Sequence, residues 1–149
     1  MNGRFLVDTN ILIYATLSND PRHMEAHAVL ELRRNWGNEL FISAQNLAEM
    51  YPNLTGPKTQ PSDSPMMARK KIATLAALDC CTVLPVTWRV VEKALELCEK
   101  YNISRQRFFD MQLVALMILE GIPTIVTENI RDFATIHEVQ AINPFASER

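Results

Sequence analysis

The sequence predicts an α/β fold in which helices cover both faces of a mostly parallel sheet. Short apolar runs that suit buried strands alternate along the chain with longer segments whose apolar residues recur at helical spacing. At 149 residues, with 48% hydrophobic and 21% charged residues, the chain has the composition of a folded protein and a length suited to one core. We therefore expect residues 1–149 to form a single domain.

The amino-terminal part of the chain predicts two strands with two helices between them. Residues 4–7 form the first apolar run, and the segment TNILIYATL after it has the spacing of a helix packed on a sheet. Asp20 and Pro21 suit the N-cap and the first turn of a second helix, which we expect to end near the next glycine. The run LFIS then predicts the second strand.

A third helix and a proline-rich loop follow the second strand. Ser43 can cap the helix AQNLAEMYPNL, and we expect Pro52 to break or kink it because proline lacks a backbone N–H. Residues 56–65 combine prolines with small polar residues, which predicts a loop. We expect this loop to be a mobile flap beside the third helix.

The middle of the chain predicts a fourth helix, a third strand and a fifth helix. Pro65 is well placed to open the fourth helix, since a proline is tolerated in the first helical turn. The β-branched stretch TVLPV predicts the third strand. Thr87 can then cap the fifth helix.

The last third of the chain predicts a long apolar helix and two more strands. The helix follows Ser104 and ends at Gly121, and the runs TIVT and VQAI suit the strands, with a short turn or helix at residues 129–133 between them. Strands that alternate with helices in this way predict a parallel sheet with right-handed crossovers. Ligands of such sheets bind beyond the carboxyl ends of the strands.

Charge and motif content exclude several classes of function. No GxGxxG or other phosphate-binding glycine loop is present, which argues against a nucleotide cofactor. A net charge of -2 gives no general attraction for nucleic acid. Any such role would need local basic patches, and the candidates are residues 33–34, residues 69–71, and Arg105 with Arg107, although each is more often a solvated helix face.

The cysteines and the amino terminus favour a cytoplasmic protein. The three cysteines include no CxxC pair, so we interpret them as reduced thiols. The apolar stretch before Asp8 is too short for a secretory signal, and no run approaches the length of a membrane span. We expect no membrane association.

Acidic residues occur where strand-to-helix units would bring them to the carboxyl edge of the sheet. The four candidates are Asp8, Glu49, Asp110 and Asp132. Carboxylates that are brought together repel one another, raise one another's pKa and cost stability, so a fold that gathers them normally binds a cation there. Oxygen ligands favour Mg²⁺ or Mn²⁺.

Each acidic residue also has an ordinary interpretation. Asp8 could cap the helix that follows it, Glu49 could be an exposed residue of an amphipathic helix, and Asp132 could end a turn. Asp110 is less ordinary because it lies in a segment so apolar that nearly every face should be buried. A carboxylate there needs a partner, which could be a backbone amide, an arginine or a metal.

Polar neighbours of these acids are candidates for supporting roles. Asn10 could orient the first carboxylate or hold a metal-bound water, or it could be a turn residue. Thr127, Asn129 and Asp132 lie just past the fourth strand, where we expect Asn129 and Asp132 to point inward. The neighbouring Glu128 could simply face solvent.

This combination of segments resembles the PIN-domain ribonucleases, particularly the VapC-like toxins of bacterial toxin–antitoxin pairs. The segments that carry the resemblance are VDTNILIYA, ISAQNLAEMYPNLT, SRQRFFDMQLVALMILEGI and TIVTENIRDFATIHEVQAINPF. Each alone is a weak signal, but four in order across essentially the whole chain are specific.

The resemblance implies a three-layer α/β/α fold and cleavage of single-stranded RNA by water at a site that holds Mg²⁺ or Mn²⁺, leaving a 5′-phosphate and a 3′-hydroxyl. It implies metal binding by Asp8 and Asp110 and a catalytic set completed by Glu49 and Asp132. The implied supporting residues are Asn10, Ser43, Thr127 and Asn129. Many relatives have aspartate where Asn129 stands, and its neutral amide reduces the charge available to a second ion.

The same resemblance implies two protein partners, a second copy of the chain and a small antitoxin whose tail lies along the acidic cleft. Apolar helices near the amino terminus and after Pro65 offer surfaces for a dimer.

Two other classes of function remain open. One is a catalytically weak PIN-like scaffold that binds RNA or protein, which the neutral Asn129 favours. The other is a phosphatase on a similar sheet, although Asn10, two residues after Asp8, replaces the second aspartate expected of a phosphoaspartyl enzyme.

Overall fold

A five-stranded parallel sheet forms the centre of the molecule in the computed structural model, which describes residues 3–32, 35 and 37–145. The strands are ordered β3-β2-β1-β4-β5 across the sheet, so β1 is central. Their bounds are Gly3–Val7 for β1, Asn38–Ser43 for β2, Cys81–Leu84 for β3, Thr124–Val126 for β4 and Gln140–Ile142 for β5.

Helices cover both faces of this sheet, which confirms the three-layer α/β/α prediction. The helices are α1 (Thr9–Thr16), α2 (His23–Glu31), α3 (Ala44–Thr55), α4 (Pro65–Ala76), α5 (Trp88–Tyr101) and α6 (Phe108–Glu120). Short 3₁₀ turns at Arg105–Arg107 and Ile130–Phe133 precede α6 and follow β4. One apolar core joins the sheet to α1–α4, and a second joins it to α5 and α6.

The central strand shows why both faces must be covered. Phe5 and Val7 enter the core beneath α1–α4, whereas Leu6 between them enters the core beneath α5 and α6. All three are almost fully buried. Each such side chain contributes roughly 1.5–3 kcal/mol when it leaves water, so β1 is stabilised from both sides.

The strand order creates a crevice at the carboxyl end of β1. From β1 the chain passes to β2 on one side, while β4 pairs with β1 on the other side and continues to β5. Connections that leave two adjacent strands in opposite directions open a gap between them, and this is where α/β sheets bind ligands. The backbone N–H of Asp8 donates to the carbonyl of Val126 at 3.0 Å, so strand pairing extends to the edge of that gap.

The second helix differs from its prediction at both ends. Asp20 does accept a bond from the backbone N–H of Arg22 at 2.8 Å, but α2 begins at His23 and has no side-chain cap. The helix ends at Glu31, six residues before the glycine expected to stop it. Residues 33–34, one of the predicted basic patches, lie outside the described residues.

The third helix was expected to break or kink at Pro52, and the expected break is wrong, while the kink stays a prediction. The third helix continues through Pro52 to Thr55, and its buried residues Leu47, Met50 and Leu54 lie on both sides of the proline. Burial of this apolar face compensates for the one backbone hydrogen bond that proline cannot make.

The loop expected to be a free flap is tied to its neighbours. The hydroxyl of Thr59 donates to the carbonyl of Asn53 at 2.8 Å, and the backbone N–H of Asp63 donates to the carbonyl of Leu54 at 2.8 Å. The carboxylate of Asp63 also pairs with Lys71 on α4 at 2.9 Å. These bonds attach the loop to both α3 and α4.

Most helix ends predicted from local sequence are confirmed. Ser43 and Thr87 cap α3 and α5, Pro65 occupies the first turn of α4, and Gly121 ends α6 with a φ of 68°. That positive φ favours glycine because it carries no Cβ. None of the helices in the described parts of the chain is long and apolar enough to cross a membrane.

We expect Ser43→Ala to lower the free energy of unfolding by about 1–2 kcal/mol. Ser43 is buried, accepts a bond from the backbone N–H of Gln45 at 3.0 Å, and forms a capping box with Asn46. Urea unfolding followed by circular dichroism measures the loss. The control is Ser64→Ala, which removes the exposed cap of α4 and should cost less; an equal or smaller loss for Ser43→Ala would contradict the expectation.

Candidate active site

The first acidic residue, Asp8, is buried at the carboxyl end of β1 with 8% of its surface exposed. One carboxylate oxygen accepts from the backbone N–H of Thr9 at 2.7 Å and from the amide of Asn46 at 3.3 Å. The other accepts from the hydroxyl of Thr127 at 2.7 Å. Asp8 is therefore the N-cap of α1 and also lines the crevice.

Burial raises the pKa of Asp8 above its ordinary value, because a charged carboxylate is poorly solvated there. The hydrogen bonds from Thr127 and Thr9 act in the opposite direction, and the nearby charges of Glu49 and Asp132 raise the pKa further. Burial and the acidic neighbours thus make Asp8 a weaker acid than an isolated aspartate.

The second acidic residue, Glu49, lies half-buried in α3, so the interpretation as an exposed surface glutamate is wrong. One of its oxygens accepts from the hydroxyl of Thr9 at 2.8 Å and the other from the amide of Gln45 at 3.2 Å. Gln45 also donates to the carbonyl of Phe109 at 3.0 Å and accepts from Gln112 at 2.7 Å. Glu49 is thereby linked to both α1 and α6.

The buried polar residues around Asp8 and Glu49 were not apparent from the sequence. Thr9, Gln45 and Asn46 are all buried polar residues beside the acids. Gln112 offered a signal, since it is a polar residue within an otherwise apolar helix and must find a hydrogen-bond partner when buried.

The third acidic residue, Asp110, lies in the first turn of α6 and is half-buried. Its pKa is raised to about 7, first by burial and then by the negative charges of Asp132 and Asp8. Arg107 lowers this pKa only in part, because its guanidinium is 4.0 Å from the carboxylate and both side chains are partly exposed. Asp110 therefore responds both to its burial and to the negative charges of the other acids.

The fourth acidic residue, Asp132, is half-buried in the 3₁₀ turn after β4. Its backbone N–H donates to the carbonyl of Asn129 at 3.1 Å, and its own carbonyl accepts from Arg107 at 3.0 Å. Its charge raises the pKa of both Asp8 and Asp110. The four acids separated in sequence are thus brought into one electrostatic group.

The supporting residues act at different distances from the acids. Thr127 is fully buried and contacts Asp8 directly, and its hydroxyl also accepts from the backbone N–H of Asn129 at 3.0 Å. Asn10 reaches Asp8 only indirectly, since its amide donates to the Thr127 hydroxyl at 3.4 Å. Ser43 acts further away, as the cap of the helix that carries Glu49.

Asn129 and Glu128 differ from what their positions in sequence indicated. The Asn129 side chain is exposed at the rim of the cleft rather than buried in it. Glu128 is half-buried and does not face solvent freely, because its carboxylate accepts from the hydroxyl of Tyr14 at 2.6 Å and pairs with Arg22 at 3.0 Å.

Arg22 and Tyr14 form a second network at the edge of the cleft. The guanidinium of Arg22 also pairs with Asp20 at 3.0 Å and lies 3.8 Å from the centre of the Tyr14 ring. Burial and the adjacent Glu128 raise the pKa of Tyr14 to about 12, so its hydroxyl remains a donor. Asp20 and Glu128 together compensate most of the positive charge of Arg22.

Three of the four acids line an open cleft of about 530 Å³, and Asp132 is not among its lining residues. Its walls include Asp8, Glu49 and Asp110 with Glu128 and Asn129. No serine, cysteine or histidine lines it within the described part of the chain. The cleft therefore offers carboxylate and amide oxygens. Its hydroxyl groups belong to Thr9, Tyr14 and Thr59, and each donates to an oxygen of the protein.

The donor atoms of the cleft and their charges decide whether a divalent cation fits there. Within residues 3–32, 35 and 37–145, no three side chains of His, Cys, Asp or Glu converge closely enough to hold an ion between them. The donors are nevertheless all oxygens, which Mg²⁺ and Mn²⁺ prefer. Among the same residues Arg107 is the only cation in ion-pair contact with any of the four acids, so their charge is largely uncompensated.

Comparison with known proteins agrees with the fold and the order of these segments. The family model described as "PIN domain" matches residues 5–138. Ribonuclease VapC24 of Mycobacterium tuberculosis is 26% identical over 149 residues, which cover 95% of this chain and 97% of the relative.

Solved structures show the same fold. The crystal structure of VapBC2 from Rickettsia felis, bound to a DNA fragment from its promoter, matches with a TM-score of 0.67 and 21% identity over 94% of this chain and 98% of that chain. VapC20 of Mycobacterium tuberculosis, described as a sarcin-ricin loop cleaving toxin, matches with a TM-score of 0.66 and 20% identity over 91% and 98%. A toxin–antitoxin complex from Klebsiella pneumoniae matches with a TM-score of 0.63 and 23% identity over 94% and 97%.

The raised pKa of Asp110 predicts a pH-dependent stability in the presence of a chelator. Between its unfolded pKa of 3.8 and its folded pKa of about 7, the folded protein binds the proton more tightly than the unfolded chain. The free energy of unfolding therefore falls as pH rises through this window. Asp110→Asn should remove this pH-dependent contribution. At about pH 8 it should therefore raise the free energy of unfolding of the metal-free protein by about 1 kcal/mol.

Urea unfolding in EDTA at several pH values between about 5 and 8 measures this effect. The control is Asp79→Asn, which changes an exposed aspartate outside the cleft and should leave the wild-type pH dependence intact. A difference between wild type and Asp110→Asn that stays constant with pH would contradict the assigned pKa.

Proposed function

Because the chain belongs to the PIN domain family, we propose that it is a Mg²⁺- or Mn²⁺-dependent endoribonuclease and the toxin of a toxin–antitoxin pair. The observation that carries this proposal is the electrostatic group of four acids at the carboxyl ends of β1 and β4. The name of the relative Ribonuclease VapC24 supports RNA as the substrate. An RNA substrate in turn favours the cytoplasm as the place of action.

In this proposal Asp8 and Asp110 hold the divalent cation, and Glu49 and Asp132 complete the catalytic set. A cation bound there would supply a more acidic water and neutralise negative charge on the reacting phosphate. Its presence would also relieve the repulsion that raises the pKa of Asp110. The carboxylates that destabilise the metal-free fold would then serve to bind the cation.

The residues of the chain prepare the cleft for hydrolysis by water. Thr127 orients Asp8, while Thr9 and Gln45 fix both oxygens of Glu49. A carboxylate held in this way can orient an attacking water and accept its proton without first reorganising. The absence of serine, cysteine and histidine from the described cleft lining supports water as the nucleophile.

The supporting residues maintain this arrangement. Asn10 and Thr127 connect α1 with the segment after β4, and Asn129 is tied to the same threonine through its backbone. Ser43 stabilises the first turn of α3. We propose that these residues position the carboxylates and do not themselves react.

Asp8→Asn and Asp110→Asn should each abolish cleavage of total RNA, because each removes a proposed metal ligand while the amide keeps the shape of the side chain. Losses of about 10²-fold or more are expected for residues that act on the reacting phosphate. Gel analysis and sequencing of newly formed 5′ ends measure cleavage with Mg²⁺, Mn²⁺ or EDTA.

Asp79→Asn is the matched control for these two variants and should retain full activity. Circular dichroism establishes that each variant is folded. Full activity in both cleft variants, or cleavage that persists in EDTA, would overturn the proposed mechanism.

The second candidate function is a catalytically silent scaffold. It is favoured by the neutral Asn129 and by carboxylates that do not converge on one point. It predicts folded wild-type protein without metal-dependent cleavage.

An antitoxin is the proposed protein partner, and the solved toxin–antitoxin complex from Klebsiella pneumoniae supports this. The chain has an apolar groove of about 750 Å³ between α2 and α4, apart from the acidic cleft. Leu30, Met67, Leu75 and Leu78 contribute to its lining. A groove of this shape suits an amphipathic segment of a partner, and we propose that the antitoxin binds there. The placement of its tail along the acidic cleft, expected from the sequence, stays a prediction. The homodimer expected from the sequence stays a prediction.

Met67→Glu should weaken binding of the small protein encoded by the adjacent reading frame, because it buries a charge in the groove. Met67 is 44% exposed and lines the groove, whereas its neighbour Met66 is 59% exposed and does not. Met66→Glu is therefore the matched control. Co-purification and calorimetry measure binding, and equal loss in both variants, or no loss in either, would contradict the groove as the binding site.

A further inference from the structure

The cleft contains one cation whose charge is not compensated within the described residues. Arg22 and Lys58 are the two basic residues among those lining it. Arg22 is already paired with Asp20 and Glu128. Lys58 is exposed, and among the residues that the structure describes its ammonium group forms no ion pair and no hydrogen bond. It is therefore available to an anionic ligand.

The backbone around Lys58 is held in place relative to the acids. The adjacent Thr59 is only 4% exposed, and its hydroxyl donates to the carbonyl of Asn53 at 2.8 Å. The amide of Asn53 donates in turn to the carbonyl of Glu49 at 2.9 Å. A short chain of hydrogen bonds thus links the loop that carries Lys58 to the helical turn that carries Glu49.

The cleft continues past Lys58 into a second concavity of about 430 Å³. The two share Leu17, Asp20, Lys58 and Thr59, so they form one trough between residues 17–22 and the loop at 56–63. Lys71, also in the second concavity, is paired with Asp63. Lys58 is accordingly the uncompensated cation of the described trough.

A nucleic-acid strand in this trough faces an electrostatic problem. The acids of the cleft repel every phosphate, and the net charge of -2 provides no general attraction. A divalent cation at the acids would act on the phosphate that reacts, but the phosphates on either side would still need a positive partner. A lysine supplies a compact charge that suits a phosphate and is insensitive to the base.

We propose that Lys58 binds an RNA phosphate next to the one that is cleaved, and that the strand leaves the acidic site through the trough between residues 17–22 and 56–63. This inference rests on the proposed endoribonuclease function and assigns a substrate-binding residue to it. In this proposal Lys58 increases the affinity for RNA and directs the strand along the trough. It does not select the base sequence, because a phosphate contact carries no sequence information.

The salt dependence of RNA binding tests the inference directly. The probe is a fluorescein-labelled RNA fragment that contains the main cleavage site found with total RNA, and Asp110→Asn in all proteins prevents its cleavage. Lys58→Ala should reduce the slope of log K against log salt concentration by about 0.7, the value for one phosphate contact with a single strand. Lys58→Arg should keep the wild-type slope, because it retains the positive charge.

Lys70→Ala is the matched control, because Lys70 is an exposed lysine that lines the α2–α4 groove and not the cleft. It should leave the slope unchanged. A normal slope in Lys58→Ala, or a reduced slope in Lys70→Ala instead, would overturn the proposed path and favour the basic run at residues 69–71.

Kinetics with the otherwise wild-type enzyme separate this inference from the proposed function. Lys58→Ala should raise KM and leave kcat unchanged, as expected when a contact made equally in the ground state and the transition state is lost. Cleavage that requires Asp8 and Asp110 but has the same KM with and without Lys58 would refute the inference alone. Absence of any metal-dependent cleavage by wild-type protein would refute the proposed function, and the inference with it.

Discussion

The pairing of β1 with β4 is the constraint on which the rest of the site depends. It brings the carboxyl ends of the two strands together and delivers Asp8 and Thr127 to the same point, where the Thr127 hydroxyl donates to Asp8 at 2.7 Å. Asp8 also caps α1, so one buried side chain joins the end of the central strand to the start of the first helix. Positions on α3, on α6 and after β4 are then defined relative to that junction.

The site combines structural and functional roles that oppose each other. Hydrogen bonds from Thr9, Asn46 and Thr127 partly offset the cost of burying the Asp8 carboxylate, but they do not offset the repulsion from the other acids. The pKa of Asp110 is raised to about 7, first by burial and then by the negative charges of Asp132 and Asp8. Stability alone would favour fewer carboxylates here, and this cost is the physical basis for the cationic ligand that we propose.

The acidic cleft and the α2–α4 groove are two distinct concavities. The acidic cleft opens at the carboxyl edge of the sheet, and its continuation passes Lys58. The α2–α4 groove shares no lining residue with the acidic cleft, but it shares Thr16 and Lys71 with that continuation. The loop at residues 56–63 lies along the trough and is attached to α3 and α4 by hydrogen bonds and an ion pair.

The sequence by itself determined the features that depend on local chemistry. Apolar runs defined the strands, and Ser43, Thr87 and Gly121 marked helix ends because caps and left-handed turns are formed by neighbouring residues. The position of Asp8 directly after a buried strand was enough to locate it at the edge of the sheet. The segments around the four acids together indicated the family, which the match over residues 5–138 confirmed.

Only the tertiary structure decided which side chains meet. Tyr14 and Glu128 are 114 positions apart and yet hydrogen-bonded, and Gln45 and Gln112 are 67 positions apart. Contacts of this kind arise from the order of strands and the packing of helices, and no local pattern encodes them. The same reason explains why Pro52 continues a helix, since the buried face on both sides of it outweighs a single lost hydrogen bond.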